Sequence, residues 1–221
     1  MMEIQLLKII CCVVGMLSCI STVVLAKDLK PISLPQPKME GGKPLMVALK
    51  DRCSTKAFSP EPVSMEMLSD LLWAADGINR PDSGKRTAPS AMNSQNIDLY
   101  VLLAKGVYLY DANAHSLVPV LAEDLRALSA GPQDYAEEAP LHLLYVADYA
   151  KMSKLPDRPK QVFFSACNTG AITQNVGLYC ASAGLGSAVR GTMDVPSLHK
   201  KLKLRDDQEI MFNQVVGYPK K

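Results

Sequence analysis

Histidine, aromatic side chains and any excess of one charge are all scarce in this chain of 221 residues. Aromatics make up 6% and the net charge is only +2. No run of lysine and arginine stands out, so nucleic acid finds no electrostatic footprint. The three histidines lie far apart at 115, 142 and 199, which leaves a Cys/His metal centre without ligands. Six cysteines suggest a disulfide framework at first sight, but Cys11, Cys12 and Cys19 sit in an apolar leader. Cys53, Cys167 and Cys180 remain, an odd number in no metal-binding spacing. Nucleophile–base–acid triads, Gly-x-Gly-x-x-Gly and phosphate-loop signatures are missing as well. Triad hydrolysis and a dinucleotide-binding Rossmann domain are therefore not indicated.

Residues 1–26 read as an export signal. Glu3 and Lys8 precede an apolar run from Ile9 to Leu25, and Val24-Leu25-Ala26 offers small-residue cleavage before Lys27. Export, with the periplasm as destination, is the resulting expectation. The alternative is membrane anchoring, through an uncleaved signal or a lipid on Cys19, and no other membrane segment is expected. Residues 27–44 carry Pro31, Pro35, Pro37 and Pro44 with Gly41-Gly42, and read as an extended arm rather than a packed element. One domain, residues 45–221, follows.

Within it the spacing predicts a short helix at Leu45–Asp51 and an amphipathic one started by the N-cap Ser64, with Met65, Leu68, Leu71, Leu72 and Ala75 on one face. Strands are expected at Ile97–Ala104, Val107–Tyr110, Leu117–Val120, Leu141–Asp148 and Glu209–Val216, with Pro119 placing its strand at an edge. Tyr108 and Tyr110 read as sheet-surface residues, His115 as a solvated turn residue and His142 as satisfied by a neighbour. Lys151–Pro159 reads as a mobile crossing loop. Gln161–Ala183 is the longest helix, its small-residue stripe suited to close helix contact, with Cys167 and Cys180 as small buried groups.

Two polar stretches stand apart from this apolar pattern. Arg52-Cys53-Ser54-Thr55-Lys56 ends the first helix with two cations and two hydroxyls, a set that suits a phosphate or simply a helix C-terminus. Arg86-Thr87-Ala88-Pro89-Ser90-Ala91-Met92-Asn93-Ser94-Gln95 is too polar for a core and too rigid for a linker.

Pro-Ser-Ala-Met-Asn-Ser-Gln resembles the Pro-Ser-x-x-Asn-x-Gln segment of the FMN-dependent nitroreductase family, and Arg-Thr-Ala-Pro-Ser-Ala resembles its thiazoline-oxidase branch. Arg52-x-Ser54, Gly170-x-x-x-Gln174-Asn175 and the terminal Gly217-Tyr218-Pro219 are similar to further family segments, in the family's order. The resemblance implies an α+β fold with a mixed, mainly antiparallel sheet flanked by helices, and a homodimer with two FMN sites at its interface. It implies that Arg52, Cys53 and Ser54 hold the phosphate, Cys53 through its backbone, together with Ala188, Val189, Arg190 and Gly191 of the same subunit at the ring. Pro89, Ser90, Ala91 and Asn93 would come from the other subunit. Arg190 turned inward would stabilise a reduced flavin, and turned outward would be a surface cation. Lys220 is the one nearby candidate for a basic residue beyond Gly-Tyr-Pro.

The implied activity is hydride transfer between a donor, usually NAD(P)H, and a small organic acceptor such as a nitro compound or quinone. Peptide azoline oxidation and a non-catalytic flavin-binding module are the alternatives. A flavin enzyme needs no acid or base of its own, which suits a sequence without an evident catalytic residue.

Overall fold

The computed structural model describes residues 29–155 and 157–220. The leader and Lys221 lie outside that range. No helix among the described residues is long and apolar enough to cross a membrane.

In chain order the elements are β1 (Ile32–Ser33), α1 (Leu45–Asp51), α2 (Met65–Asp76), β2 (Ile78–Arg80), β3 (Lys85–Arg86), β4 (Ile97–Leu103), β5 (Gly106–Asp111), β6 (Ser116–Leu121), α3 (Arg126–Ala130), α4 (Asp134–Glu137), β7 (Leu141–Asp148), α5 (Arg158–Ala183), β8 (Gly186–Arg190), α6 (Val195–Leu202) and β9 (Gln208–Gly217). Seven strands form one sheet in the order β1-β6-β5-β4-β7-β9-β8. Each of its pairings is antiparallel.

Helices cover both faces, which is why central β7 is buried along its whole length. Its residues alternate between two cores. Leu143, Tyr145 and Ala147 pack under α2 and α5 with Leu68, Leu72, Ile172 and Val176. Leu144 and Val146 face α3 and α6 with Leu125, Leu198 and Leu202. Ser64 caps α2 as expected, its Oγ accepting from the Met67 N–H at 3.2 Å. Asp194 caps α6 and Asp157 caps α5 in the same way.

Four sequence expectations change on folding. The N-terminal arm is extended but packed: β1 pairs with β6, Leu34 is buried, and the Lys38 and Lys43 N–H groups donate to Asp70 Oδ1 and Ser182 Oγ, each at 2.8 Å. His115 is not simply solvated. Its Nε2 meets Ser69 Oγ at 2.7 Å and the Pro35 carbonyl at 3.1 Å, and its Nδ1 meets the Tyr110 hydroxyl at 3.0 Å, so it holds the arm down. Tyr108 and Tyr110 are buried, because α2 and the arm close over that sheet face. Cys167 is exposed on α5, whereas Cys180 is buried and its thiol is pushed up to about 12. Pro119 does lie at an edge, since β1 reaches only Ser116 and Leu117.

Candidate functional site

The stretch after α1 is laid along the open edge of the sheet. Ser54 forms a parallel bridge with Ser187 of β8, and the Thr55 N–H donates to the Ser187 carbonyl at 3.0 Å. Farther on, the Ser59 N–H donates to the Tyr218 carbonyl at 2.8 Å. Two glycines permit this approach. A Cβ on Gly186 would stand 2.5 Å from Thr55 Oγ1, and one on Gly177 of α5 would touch the Arg52 stem at 3.4 Å. Arg52 also closes α1, its N–H donating to the Ala48 carbonyl at 2.9 Å. Its guanidinium is exposed and makes no ion pair among the described residues. Cys53 and Ser54 are exposed beside it.

Folding therefore brings Arg52, Cys53 and Ser54 next to β8. It also sorts the residues of β8. Backbone groups of an edge strand point alternately inward and outward. Since the Ser187 carbonyl faces Thr55, Val189 turns its N–H and C=O to the same open side. Val189 is also 46% exposed. The backbone of Ala188 pairs with β9 instead, and its methyl is buried with Phe58, Ala130 and Val215.

Ala188 thus spends its methyl on the core and its backbone on β9, and Arg190 requires a larger correction. Its side chain points neither to a cofactor nor to solvent. It is buried, donating through Nη1 to the Ser129 carbonyl at 3.0 Å, through Nη2 to the Ala130 carbonyl, and through Nε to Gln133 Oε1 at 2.8 Å. The end of α3 exposes carbonyls that need donors, and Arg190 supplies them. Gly191 follows, exposed. Lys220 pairs with Glu138 at 3.5 Å, which takes up part of its charge.

The second stretch is a strained loop. Met92, Asn93 and Gln95 have φ of 53°, 52° and 47°, a region L-residues occupy only when their surroundings enforce it. The enforcement is visible. Ser90 Oγ accepts from the Gln95 N–H at 3.0 Å, the Ser90 carbonyl accepts from the Asn93 N–H at 3.0 Å, and Gln95 Nε2 donates to the Gly84 carbonyl at 2.9 Å. Pro89 and Asn93 remain exposed and Ser90 half-buried. The Ala91 N–H is already taken by Asn168 Oδ1 of α5 at 2.9 Å, so Ala91 anchors the loop.

Asn168 belongs to a buried chain of amides that sequence reasoning did not single out. Its Nδ2 donates to Asn96 Oδ1 at 2.8 Å, and Asn96 Nδ2 donates to Ser165 Oγ at 2.8 Å. The available signal was a polar triplet at helical spacing, Ser165, Asn168 and Thr169, on the inner side of a long helix. Buried amides are costly when any partner is missing. Asn168→Ala should therefore free the Ala91 N–H and lower thermal stability by about 1–3 kcal/mol, and it should loosen Ser90 and Asn93. Amide exchange at Ala91 should quicken in Asn168→Ala, and unchanged protection of that N–H would contradict the anchoring role.

Arg86 was the cation of this stretch, and folding buries its charge against Asp76. Burial raises the Asp76 carboxyl from 3.8 to about 6, outweighing the attraction of Arg86. A raised acid costs nothing below its unfolded pKa and its full penalty above the folded one. Wild-type stability relative to Asp76→Asn should thus fall as pH rises from about 4 to about 6, by an amount on the order of 3 kcal/mol. Urea midpoints across that range measure it, and a flat or rising difference refutes it. Burial also lowers His142 to about 4, with its Nε2 on the Ala136 carbonyl at 2.9 Å, which makes it a neutral core residue.

The two stretches do not meet within one chain. Arg52 rests on Gly177 and Ala91 on Asn168, nine residues apart on α5. That spacing corresponds to roughly 14 Å along the helix and about half a turn around it. One chain therefore carries the two stretches on different sides of its longest helix.

An antiparallel sheet sandwiched by helices, with a cationic helix end on one flank and a strained hydroxyl-amide loop on the other, defines an α+β nitroreductase-like fold. The chain belongs to the Nitroreductase family, whose profile matches residues 49–218. A nitroreductase-type protein of Methanocaldococcus jannaschii is 29% identical over 165 residues, covering 70% of this chain and 82% of that one. The crystal structure of a nitroreductase-type protein from Ralstonia eutropha JMP134 superposes with a TM-score of 0.82 at 41% identity, covering 87% of this chain and 91% of that chain. The NADPH:FMN oxidoreductase of Vibrio harveyi, solved in complex with NAD+, shares the fold at a TM-score of 0.59 and 19% identity, over 80% of this chain and 69% of that chain.

Proposed function

We propose that this chain is one subunit of a homodimeric, FMN-dependent oxidoreductase that transfers hydride between a donor, NAD(P)H in the first instance, and a small organic acceptor such as a nitro compound or quinone. The observation that carries the proposal is the separation of two half-sites on α5, which a second copy of the chain can complete. The chemistry of the residues fits FMN. Arg52 offers a guanidinium without an ion pair among the described residues, and Ser54 a hydroxyl, for the phosphate. Val189 offers an outward N–H and C=O at a strand edge, suited to the polar edge of a flavin ring. Asn93 and Ser90 offer an amide and a hydroxyl from the partner. FMN, when bound, supplies the two-electron chemistry, while these residues bind, orient and exclude water.

An unusually apolar surface supports the homodimer. Leu45 and Met46 on α1 are 63% and 75% exposed and Phe163 on α5 is 63% exposed. On α5, Phe163, Cys167, Gly170 and Gln174 form one exposed stripe at helical spacing. A monomer rarely leaves so much apolar surface in water. We further propose export to the periplasm, on the strength of the leader. Nothing in the geometry favours azoline oxidation or loss of turnover.

Purified protein tests the reading. It should be yellow with bound FMN, bleach on addition of NADPH or dithionite, and recolour with nitrobenzene or a quinone. A colourless protein that takes up no added FMN refutes it.

A further inference from the structure

Beside the strained loop lies a crevice of about 140 Å³, which shares Asn93 with the proposed flavin contacts and extends away from them towards Lys154. Met92, Asn93 and Ser94 form one wall, and Lys151, Lys154 and Leu155 lie on the other. Two cations line it and no carboxylate does. Lys151 is partly neutralised, its Nζ lying 2.5 Å from Asp98 Oδ1. Lys154 is exposed and makes no ion pair among the described residues. Asp157, the carboxylate nearest to it in sequence, is paired with Lys160 at 3.0 Å.

The lysine-bearing wall is firmly built, in contrast to the mobile crossing loop expected from the sequence. Residues 149–152 form a 3₁₀ turn, and Met152 is buried. Gln161 Nε2 donates to the Leu155 carbonyl at 2.8 Å, and Ser165 Oγ lies 3.3 Å from Met152 Sδ. That same Ser165 belongs to the amide chain that anchors the opposite wall. Both walls are thus tied to α5.

We infer that this crevice is an anion-recognition subsite, in which Lys154 draws the carboxylate or phosphate of a small aromatic ligand to the rim while Met92 and Leu155 contact its ring. The inference rests on the oxidoreductase reading above. It assigns the acceptor or donor a negatively charged group held beside Asn93. An ammonium at the rim of a small crevice favours anions by charge alone, and salt screens the effect.

The test compares wild type, Lys154→Ala, Lys154→Glu and, as a surface control, Lys160→Ala, all loaded with FMN. One arm pre-reduces each protein with dithionite and follows reoxidation by 4-nitrobenzoate and by uncharged nitrobenzene. A second arm follows reduction of the oxidised protein by NADPH and by NADH. A third measures equilibrium binding of 4-nitrobenzoate to the oxidised protein at low and high salt.

Lys154→Ala should weaken use of the anionic ligand roughly three- to ten-fold and Lys154→Glu more, with nitrobenzene and Lys160→Ala unaffected. An effect confined to nitrobenzoate places the anion on the acceptor. One confined to NADPH places it on the donor's phosphate. Equal behaviour of wild type and both Lys154 variants in all three arms overturns the inference while leaving the oxidoreductase reading intact. A wild-type protein that binds no FMN removes both.

Discussion

Arg52→Ala is expected to weaken FMN binding by about 1.5–3 kcal/mol, or roughly 10- to 150-fold, with little change in the stability of the cofactor-free protein. The first figure follows from losing a charge-assisted, potentially bidentate contact to a phosphate. The second follows from where Arg52 sits. Its exposed head group makes no ion pair among the described residues. The N–H that closes α1 against the Ala48 carbonyl belongs to the backbone and survives the substitution. Only the stem contact over Gly177 is lost. Arg52→Lys should recover part of the affinity, because charge is kept and the planar fork is not. Isothermal titration with FMN decides the matter, and an unaltered dissociation constant would remove Arg52 from the site.

A larger and more unusual effect is expected when two defective chains are combined. Arg52→Ala and Asn93→Ala should each bind FMN poorly, because each damages both sites of a symmetric homodimer. In a mixed dimer the two lesions fall together in one site, and the other site is intact. Random mixing should thus restore tight binding to about one site in four. The expectation depends on the half-turn and roughly 14 Å that separate the two anchor points on α5. Flavin bound per chain after co-expression reads it directly. If mixing restores nothing, each chain builds its site alone and the proposed assembly is wrong. Phe163→Glu provides the complementary result. It places a charge in the exposed apolar stripe, so it should yield monomers in sedimentation and release FMN while leaving the subunit fold intact.

Much of the frame was legible in residue order. Leu45–Asp51, Leu141–Asp148, the Ser64 cap and the long helix follow from periodicity and capping chemistry, which act over a few residues. The helix starts at Arg158 rather than Gln161, because the Asp157 cap draws its first turn back towards Pro159. The two polar stretches were legible for a related reason. Segments too polar to bury and too constrained to dangle stand out against an apolar pattern.

Side-chain destinations were less legible. The family resemblance left Arg190 as either an inward flavin cation or an outward surface cation, yet its guanidinium caps the carbonyls of α3, some sixty residues earlier in the chain. Arg86 is the one cation of its stretch, and its partner, Asp76, lies ten residues earlier at the end of α2. His115 looked solvated, yet the arm covers it. Cys167 looked buried and is exposed. In each case the deciding partner is remote in sequence, and local pattern carries no information about it. The Asn96–Asn168 link spans 72 positions and was invisible for the same reason.

From residue order alone came the succession of helices and strands and the two stretches rich in hydrogen-bonding groups, since these depend on alternation, capping and backbone restriction between near neighbours, while the fold class came from the resemblance of those stretches to family segments. Tertiary packing decided which charged and polar groups stay free: Arg52 and Lys154 make no ion pair among the described residues, while Arg190, Arg86 and the Ala91 N–H are consumed. Burial of an ion or an amide is tolerated only with a partner in place, and that partner is supplied by distant chain brought close on folding.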